Sequence, residues 1–357
     1  MLFGRKIAHS SNKVPRGSEL EVCTLRLSEH EAPCLISFDV RPKGLNPGPL
    51  EVLVEKAGEK EAVKKGGRSF LLRTAGEYKI KVRNLAEFEQ EVEYIFSRKR
   101  VKRLSSVGNS YYGVMRLGRR CFLITDGSKF YVLKKLSDIW HFLEREKFSG
   151  VRAWLYLSSL GLKGIPRLLQ LNVEHKFVVY EYVEGEPLSL IIERRRRCRE
   201  GERARVDRLL LEALQDVAKV MSEVSKHRIL HRDLKPRHII LSGGKTYVID
   251  WELSCMLGEC TLSVGTNPYA SPEAFQRNYS EKSDVYSFGV IMDEAFIWEM
   301  SRETIIGTSE GVAASVKNLI EKATKGKPEE RPSFEEISKE LEELLKNGEK
   351  VEFKSNL

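Results

Sequence analysis

The chain has 357 residues, 41% of them apolar and 31% charged, with a net charge of +9, which leaves room for two or three domains and the core of an ordinary globular protein. No apolar run approaches the length of a bilayer span, since even the stretch from Phe288 to Trp298 is interrupted by Asp293 and Glu294, and Met1-Leu2-Phe3-Gly4-Arg5-Lys6 lacks the apolar core of a secretory signal. Six cysteines, Cys23, Cys34, Cys121, Cys198, Cys255 and Cys260, form no Cys-x-x-Cys pair and have no histidines at zinc spacing, so a zinc module is excluded and a cytoplasmic chain with small core or surface cysteines is expected.

Period-two alternation dominates the first part: Cys34, Ile36, Phe38 and Val40; Leu50, Val52 and Val54; Tyr78, Ile80 and Val82; Val92, Tyr94 and Phe96. Asn46-Pro47-Gly48, Gly66-Gly67 and Ala75-Gly76 punctuate these runs, the pattern of an all-β sandwich over residues 1–97. No nucleophile elbow, Cys/His cluster or phosphate loop falls in it. The stretch from Ala75 to Asn84 resembles the penultimate strands of Ig-like or GOLD-like modules, which implies partner or ligand binding, with passive packing as the alternative. Arg98-Lys99-Arg100-Val101-Lys102-Arg103 then reads as a basic linker.

From residue 104 the texture is mixed. Val107-Gly108-Asn109-Ser110-Tyr111-Tyr112-Gly113-Val114 reads as a hairpin, and Tyr131-Val132-Leu133-Lys134 as a strand on which Lys134 and Lys135 face opposite sides. A helix carrying Glu146, Gly150 and Ala153 follows, then a buried strand running into a turn at Val178-Val179-Tyr180-Glu181-Tyr182-Val183-Glu184-Gly185-Glu186. Arg194-Arg195-Arg196-Arg197-Cys198-Arg199 lacks interleaved aromatics and reads as a solvated helix face, with no clear nucleic-acid or membrane binding. Short apolar segments, Ile229-Leu230 and Ile239-Ile240-Leu241, flank the charged loop His231-Arg232-Asp233-Leu234-Lys235-Pro236, and the β-rich run Thr246-Tyr247-Val248-Ile249 ends at Asp250.

Downstream stand Gly265-Thr266-Asn267-Pro268-Tyr269-Ala270-Ser271-Pro272-Glu273, Ser283-Asp284-Val285-Tyr286-Ser287-Phe288-Gly289 and Arg331-Pro332-Ser333-Phe334-Glu335-Glu336-Ile337. These motifs, in this order over about two thirds of the chain, resemble the eukaryotic-type serine/threonine protein kinases. The resemblance implies an α+β, bilobal protein-kinase-like fold over residues 104–346 (N-lobe 104–183, C-lobe 184–346), preceded by the small all-β sandwich and followed by a tail, 347–357.

It also implies roles. Phosphoryl transfer needs a carboxylate to orient the acceptor hydroxyl, a lysine to steady the moving phosphate and a second carboxylate on the metal, and Asp233, Lys235 and Asp250 fit those needs. Gly108, Ser110 and Gly113 would cover the ATP phosphates, Lys134 would reach the α- and β-phosphates, and the backbone at Glu181 and Val183 would meet the adenine edge behind Tyr180. Thr266 would hydrogen-bond Asp233 and Lys235, Glu273 would pair with Arg331, and Arg232 would receive an activation-loop phosphate on Thr261 or Ser263. Cys255 and Cys260 fall in that loop, where a redox-sensitive disulfide is the second reading.

Several positions depart from the family pattern. Ser110 replaces the middle glycine, and Ala153 stands where the glutamate partner of Lys134 is expected. Glu146 lies two helical turns earlier, roughly 10 Å along the axis, too far for an ordinary ion pair, so a solvated carboxylate is the first reading and a sliding helix the second. His238 stands where asparagine usually offers an oxygen to Mg2+, which admits Mn2+ as an alternative metal or a bystander histidine. Asp250-Trp251-Glu252 replaces Asp-Phe-Gly, and Glu252 disfavours the flipped loop because it lacks glycine's backbone freedom. The span from Ser301 to Gly311 is too short for the usual substrate-docking helix. The expectation is an ATP- and Mg2+-dependent kinase of Ser/Thr hydroxyls on protein substrates, autophosphorylating on the activation loop, with a choline/aminoglycoside-kinase-like phosphotransferase and a pseudokinase scaffold as alternatives.

Overall fold

Alternating apolar residues close into two antiparallel sheets in the first part of the chain. The strands are β1 (Arg5–Val14), β2 (Glu19–Leu27), β3 (Cys34–Pro42), β4 (Leu50–Lys56), β5 (Ser69–Leu72), β6 (Gly76–Asn84) and β7 (Gln90–Arg100). One sheet runs β1-β7-β3-β5 and the other β2-β6-β4. Their inward residues, among them Ile36, Phe38, Val54, Tyr78, Ile80, Val82, Val92, Tyr94 and Phe96, form one core, each large side chain contributing about 1.5–3 kcal/mol by burial. The Tyr78 hydroxyl donates to the Thr74 carbonyl at 2.9 Å, the corner bond of many sandwiches. The buried Asn84 amide donates to the carbonyls of Val14 and Phe88, both at 2.8 Å, and so pins the β6–β7 turn. The computed structural model describes residues 4–43, 50–56, 69–105, 107, 111–296 and 310–355. It divides into two units, Met1–Lys135 with Leu171–Val179, and Leu136–Gln170 with Tyr180–Leu357.

The basic run expected as a linker is instead paired strand. Arg98, Lys99 and Arg100 lie opposite Ile36, Leu35 and Cys34, Arg98 meets Glu31 at 3.3 Å, and Lys102 and Arg103 pair with Gly113 and Tyr112. Alternating basic side chains leave the backbone free to pair, so charge density alone is a poor sign of a linker. A third sheet in this unit contains β8 (Lys102–Arg103), β9 (Tyr112–Arg116), β10 (Cys121–Thr125), β11 (Phe130–Lys135), β12 (Leu168–Asn172) and β13 (Phe177–Glu181), in the order β12-β13-β11-β10-β9-β8. Residues 171–179 bring the last two strands into this unit.

The second unit is mainly helical: α1 (Trp140–Arg145), α2 (Ser149–Ser159), α3 (Leu188–Arg197), α4 (Glu200–Lys226), α5 (Pro272–Phe275), α6 (Ser283–Phe296), α7 (Glu310–Ala323) and α8 (Phe334–Ser355). In α4 the buried stripe Leu210, Leu214, Val217, Met221 and Val224 follows the three-four spacing of a core-facing helix, and α8 packs along α4. Because α8 runs to Ser355, most of the expected tail is helix. The arginine-rich segment is also less solvated than its composition implies. Arg195 is buried against Asp207, and its guanidinium lies 5.1 Å from the Phe296 ring centre. Among the described residues no helix is long and apolar enough to cross a membrane.

Candidate active site

The loop at 231–236 is held by a buried carboxylate from α6. Asp284 accepts the backbone N–H of His231 at 2.6 Å and of Arg232 at 2.9 Å, fixing a turn in which Arg232 takes a left-handed φ of 63°. Burial, the main cause, pushes the Asp284 carboxyl above its ordinary pKa despite those two donors. His231, also fully buried, faces the Ile249 carbonyl through Nε2 at 2.8 Å and the Asp233 N–H through Nδ1 at 3.3 Å. One partner only accepts and the other only donates, so the ring must be neutral with its proton on Nε2. Burial likewise depresses its pKa.

Three side chains then converge. Lys235 Nζ donates to Asp233 Oδ2 and to Thr266 Oγ1, both at 2.8 Å, while the Thr266 hydroxyl donates to Asp233 Oδ1 at 2.6 Å. Asp233 keeps 11% and Lys235 18% of their side-chain surface exposed, so the carboxylate is oriented by its neighbours and still reachable. Thr266 comes from a segment 33 residues away, delivered by a backbone in which Gly265 has φ 129° and closely approaches the Arg232 carbonyl. Further along, Glu273 receives Arg331 at 2.8 and 2.9 Å in a buried bidentate pair.

A second carboxylate lies on the other side of the loop. His238 Nδ1 is 2.9 Å from the Asp233 carbonyl and Nε2 is 3.0 Å from Asp250 Oδ2. Asp250 itself sits at φ 70°, a conformation that costs a non-glycine residue about 1 kcal/mol or more and persists where neighbours over-determine it. Trp251–Leu253 forms a single 3-10 turn, and the buried Trp251 indole donates to the Val248 carbonyl at 2.8 Å. Glu252 therefore needs no left-handed backbone here.

Glu146 is neither solvated nor on the continuous helix that its spacing implied. The helix breaks after α1, with Lys147 and Phe148 at φ 49° and 57°, and this swings Glu146 onto Arg232. Its Oε1 accepts from Arg232 Nη1 at 2.9 Å, its Oε2 accepts from Nη2, and Oε1 also accepts the N–H groups of Thr261 and Leu262, each at 2.9 Å. The guanidinium expected to await a phosphate thus already holds a carboxylate. Arg232 Nε also donates to the Leu253 carbonyl at 2.7 Å and Nη2 to that of Ser254 at 3.2 Å. Between these points Cys255 and Cys260 are joined as a disulfide, so they are not independent core or surface cysteines.

The remaining sequence candidates are placed separately. In the first unit Lys134 is buried at 2% exposure and lies opposite Cys121, while Lys135 is exposed over the Phe122 ring. Gly113 lies in β9. Gly108 and Ser110 lie outside the described residues, as does most of the 301–311 span. In the second unit the Glu181 N–H donates to the Arg167 carbonyl at 3.1 Å, Tyr180 packs on Trp154 with ring centres 4.9 Å apart, and Val183 follows the end of β13 half-buried. Sequence reasoning missed the hold of Asp284 on the loop and the partner of Glu146. A carboxylate inside the apolar stripe of α6 was a usable signal for the first; nothing local announced the second.

Residues 154–352, more than half of the chain, match the protein kinase domain, and the chain belongs to that family. It is 33% identical over 155 residues to dual specificity protein kinase pyk3 of Dictyostelium discoideum, covering 38% of this chain and 12% of that one. Over 154 residues it is 32% identical to the probable LRR receptor-like serine/threonine-protein kinase RPK1 of Arabidopsis thaliana, 39% of this chain and 27% of the other. Over 223 residues it is 28% identical to mitogen-activated protein kinase kinase kinase 7 of Bos taurus, 57% and 38% respectively. The chain thus spans less than two fifths of the length of these curated relatives. The family match begins at Trp154, downstream of Lys134 and Glu146.

Proposed function

We propose that the chain transfers the terminal phosphoryl group of ATP to serine or threonine hydroxyls of a protein. The observation that carries this reading is the mutual hydrogen bonding of Asp233, Lys235 and Thr266. Asp233 would orient the acceptor hydroxyl and accept its proton, and Lys235, fixed by Thr266, would steady the moving phosphoryl oxygens. Lys134, Gly108, Ser110 and Gly113 are assigned to the ATP phosphates, and the backbone of Glu181 and Val183 to adenine. Bonds from Lys235 to both Asp233 and Thr266 favour a protein acceptor over a small alcohol, because they tie the catalytic carboxylate to the segment where a peptide would lie.

A divalent cation fits the donors present. With Nδ1–H donating to the Asp233 carbonyl, His238 turns Nε2 towards Asp250, the second-shell pattern of a ligating histidine. Asp250 and His238 would be the cation's protein ligands and phosphate and water the rest. When bound, the ion would neutralise charge developing on the phosphates. An imidazole ligand favours Mn2+ relative to the usual asparagine oxygen.

The test is labelled phosphate transfer from ATP in Mg2+ and separately in Mn2+, with a generic Ser/Thr-rich acceptor protein and beside Asp233→Asn. Label mapped to Ser or Thr and lost in the variant is expected. Nucleotide binding without any transfer to protein would overturn the reading in favour of a small-molecule kinase or a scaffold.

A further inference from the structure

In Glu146 one buried carboxylate, 9% exposed, gathers the guanidinium of Arg232 and two successive backbone N–H groups, those of Thr261 and Leu262. A cationic fork beside consecutive amides is a donor set for an anion with several acceptor oxygens. We propose that Glu146 is a positioning residue that fixes the activation segment in the unmodified chain, so that transfer requires no phosphate on Thr261 or Ser263. This rests on the kinase reading above and concerns how its site is assembled.

The connectivity supports it. Arg232 precedes Asp233 and also binds the carbonyls of Leu253 and Ser254, just past Asp250. Glu146 therefore links the end of α1, through Arg232 the 231–236 loop and the turn after Asp250, and through the N–H groups of Thr261 and Leu262 the segment leading to Thr266. A second tie runs parallel. Glu259 accepts from Arg152 at 2.7 Å and from the Ser149 hydroxyl at 2.6 Å, and the Tyr279 hydroxyl accepts the Val264 N–H at 3.0 Å. Thr261 is exposed and reaches Glu146 only through its backbone N–H, and Nη1 and Nη2 of Arg232, the donors an activation-loop phosphate would use, already serve Glu146.

Hydrogen exchange and steady-state transfer on the full-length chain test this, comparing phosphatase-treated wild type with Glu146→Gln and Glu146→Asp. Amides 261 and 262 should be protected in the dephosphorylated wild type, whose kcat should equal that of untreated protein. In E146Q they should exchange about 10²-fold faster and kcat should fall about 10²-fold, with KM for ATP changed less than about twofold and E146D intermediate. Exchange that is slow only after phosphorylation of Thr261 or Ser263, or wild-type protection and kcat in E146Q, would overturn it. Should E146Q fail to fold, wild-type exchange before and after phosphatase treatment decides. Absence of transfer from every form would instead remove the kinase reading, and the exchange arm would still decide the anchoring.

Discussion

At the scale of single residues, the second unit contains buried ion pairs whose loss is costly because the abandoned partner stays desolvated. Arg331 is 0% and Glu273 8% exposed at the side chain. Burial raises the Glu273 pKa, but the bonds from Arg331 and Ser283 outweigh it and hold the group below its ordinary 4.5. A depressed carboxylate contributes stability that is full above about pH 4.5 and lost as pH falls below it. Arg331→Ala is expected to cost about 3–5 kcal/mol at neutral pH by chemical denaturation. His231 carries the opposite charge logic to the same side of the pH scale. Its folded pKa lies below the ordinary 6.5 because burial penalises the imidazolium, so its contribution is present above pH 6.5 and lost on acidification. Thermal midpoints should therefore be flat above neutrality and fall below pH 6.5, and His231→Gln should blunt that fall by about 1 kcal/mol or more. An unchanged slope in the variant would assign the acid sensitivity elsewhere. The two cases were legible in different degrees: Glu273 and Arg331 from their motifs, the neutral His231 only from its two partners.

At the scale of elements, the break between α1 and α2 decides more than any propensity in the segment. Gly150 opens α2 against the turn after Asp250, where an added Cβ would lie 2.3 Å from the Glu252 carbonyl oxygen and 2.6 Å from that of Ser254. Backbone atoms cannot retreat as a flexible side chain can. Gly150→Ala should cost about 1–3 kcal/mol through overpacking and loosen the Cys255–Met256 pairing with Ile229–Leu230, visible as faster amide exchange there. Ordinary helix propensity would have it stabilise the chain, so the sign discriminates. The break itself, at Lys147 and Phe148, explains why the spacing argument for Glu146 failed. Counting residues along one unbroken helix placed its carboxylate on a solvent face, whereas two left-handed residues redirect it into Arg232. The N-terminal strands were legible where apolar residues alternate, in β3, β4, β6 and β7. β1 was not, because its side chains are largely polar and it is held by backbone pairing with β7 from Arg5 to Val14.

At the scale of the whole molecule, the proposed nucleotide site should report itself as ligand-linked stability. With ATP and a divalent cation at about 100-fold over Kd, the folded state gains about 2.7 kcal/mol. A rise in thermal midpoint is expected with Mg2+ or Mn2+, abolished by chelation and by Asp250→Asn but retained in Asp233→Asn, whose side chain is assigned by the proposal to the acceptor hydroxyl. Equal loss in both variants would contradict the division of roles. The sequence by itself determined the family, the alternation that builds the sandwich, and the residue types around the transfer chemistry, because those depend on local period and on motifs contiguous in the chain. Only the tertiary structure decided that 98–100 and 102–103 are strand, that Cys255 meets Cys260, that Asp284 holds the 231–236 loop and that Glu146 belongs to Arg232. Each of those depends on groups distant in the chain or on a turn that reverses direction, and burial rather than sequence spacing selects which charges must meet.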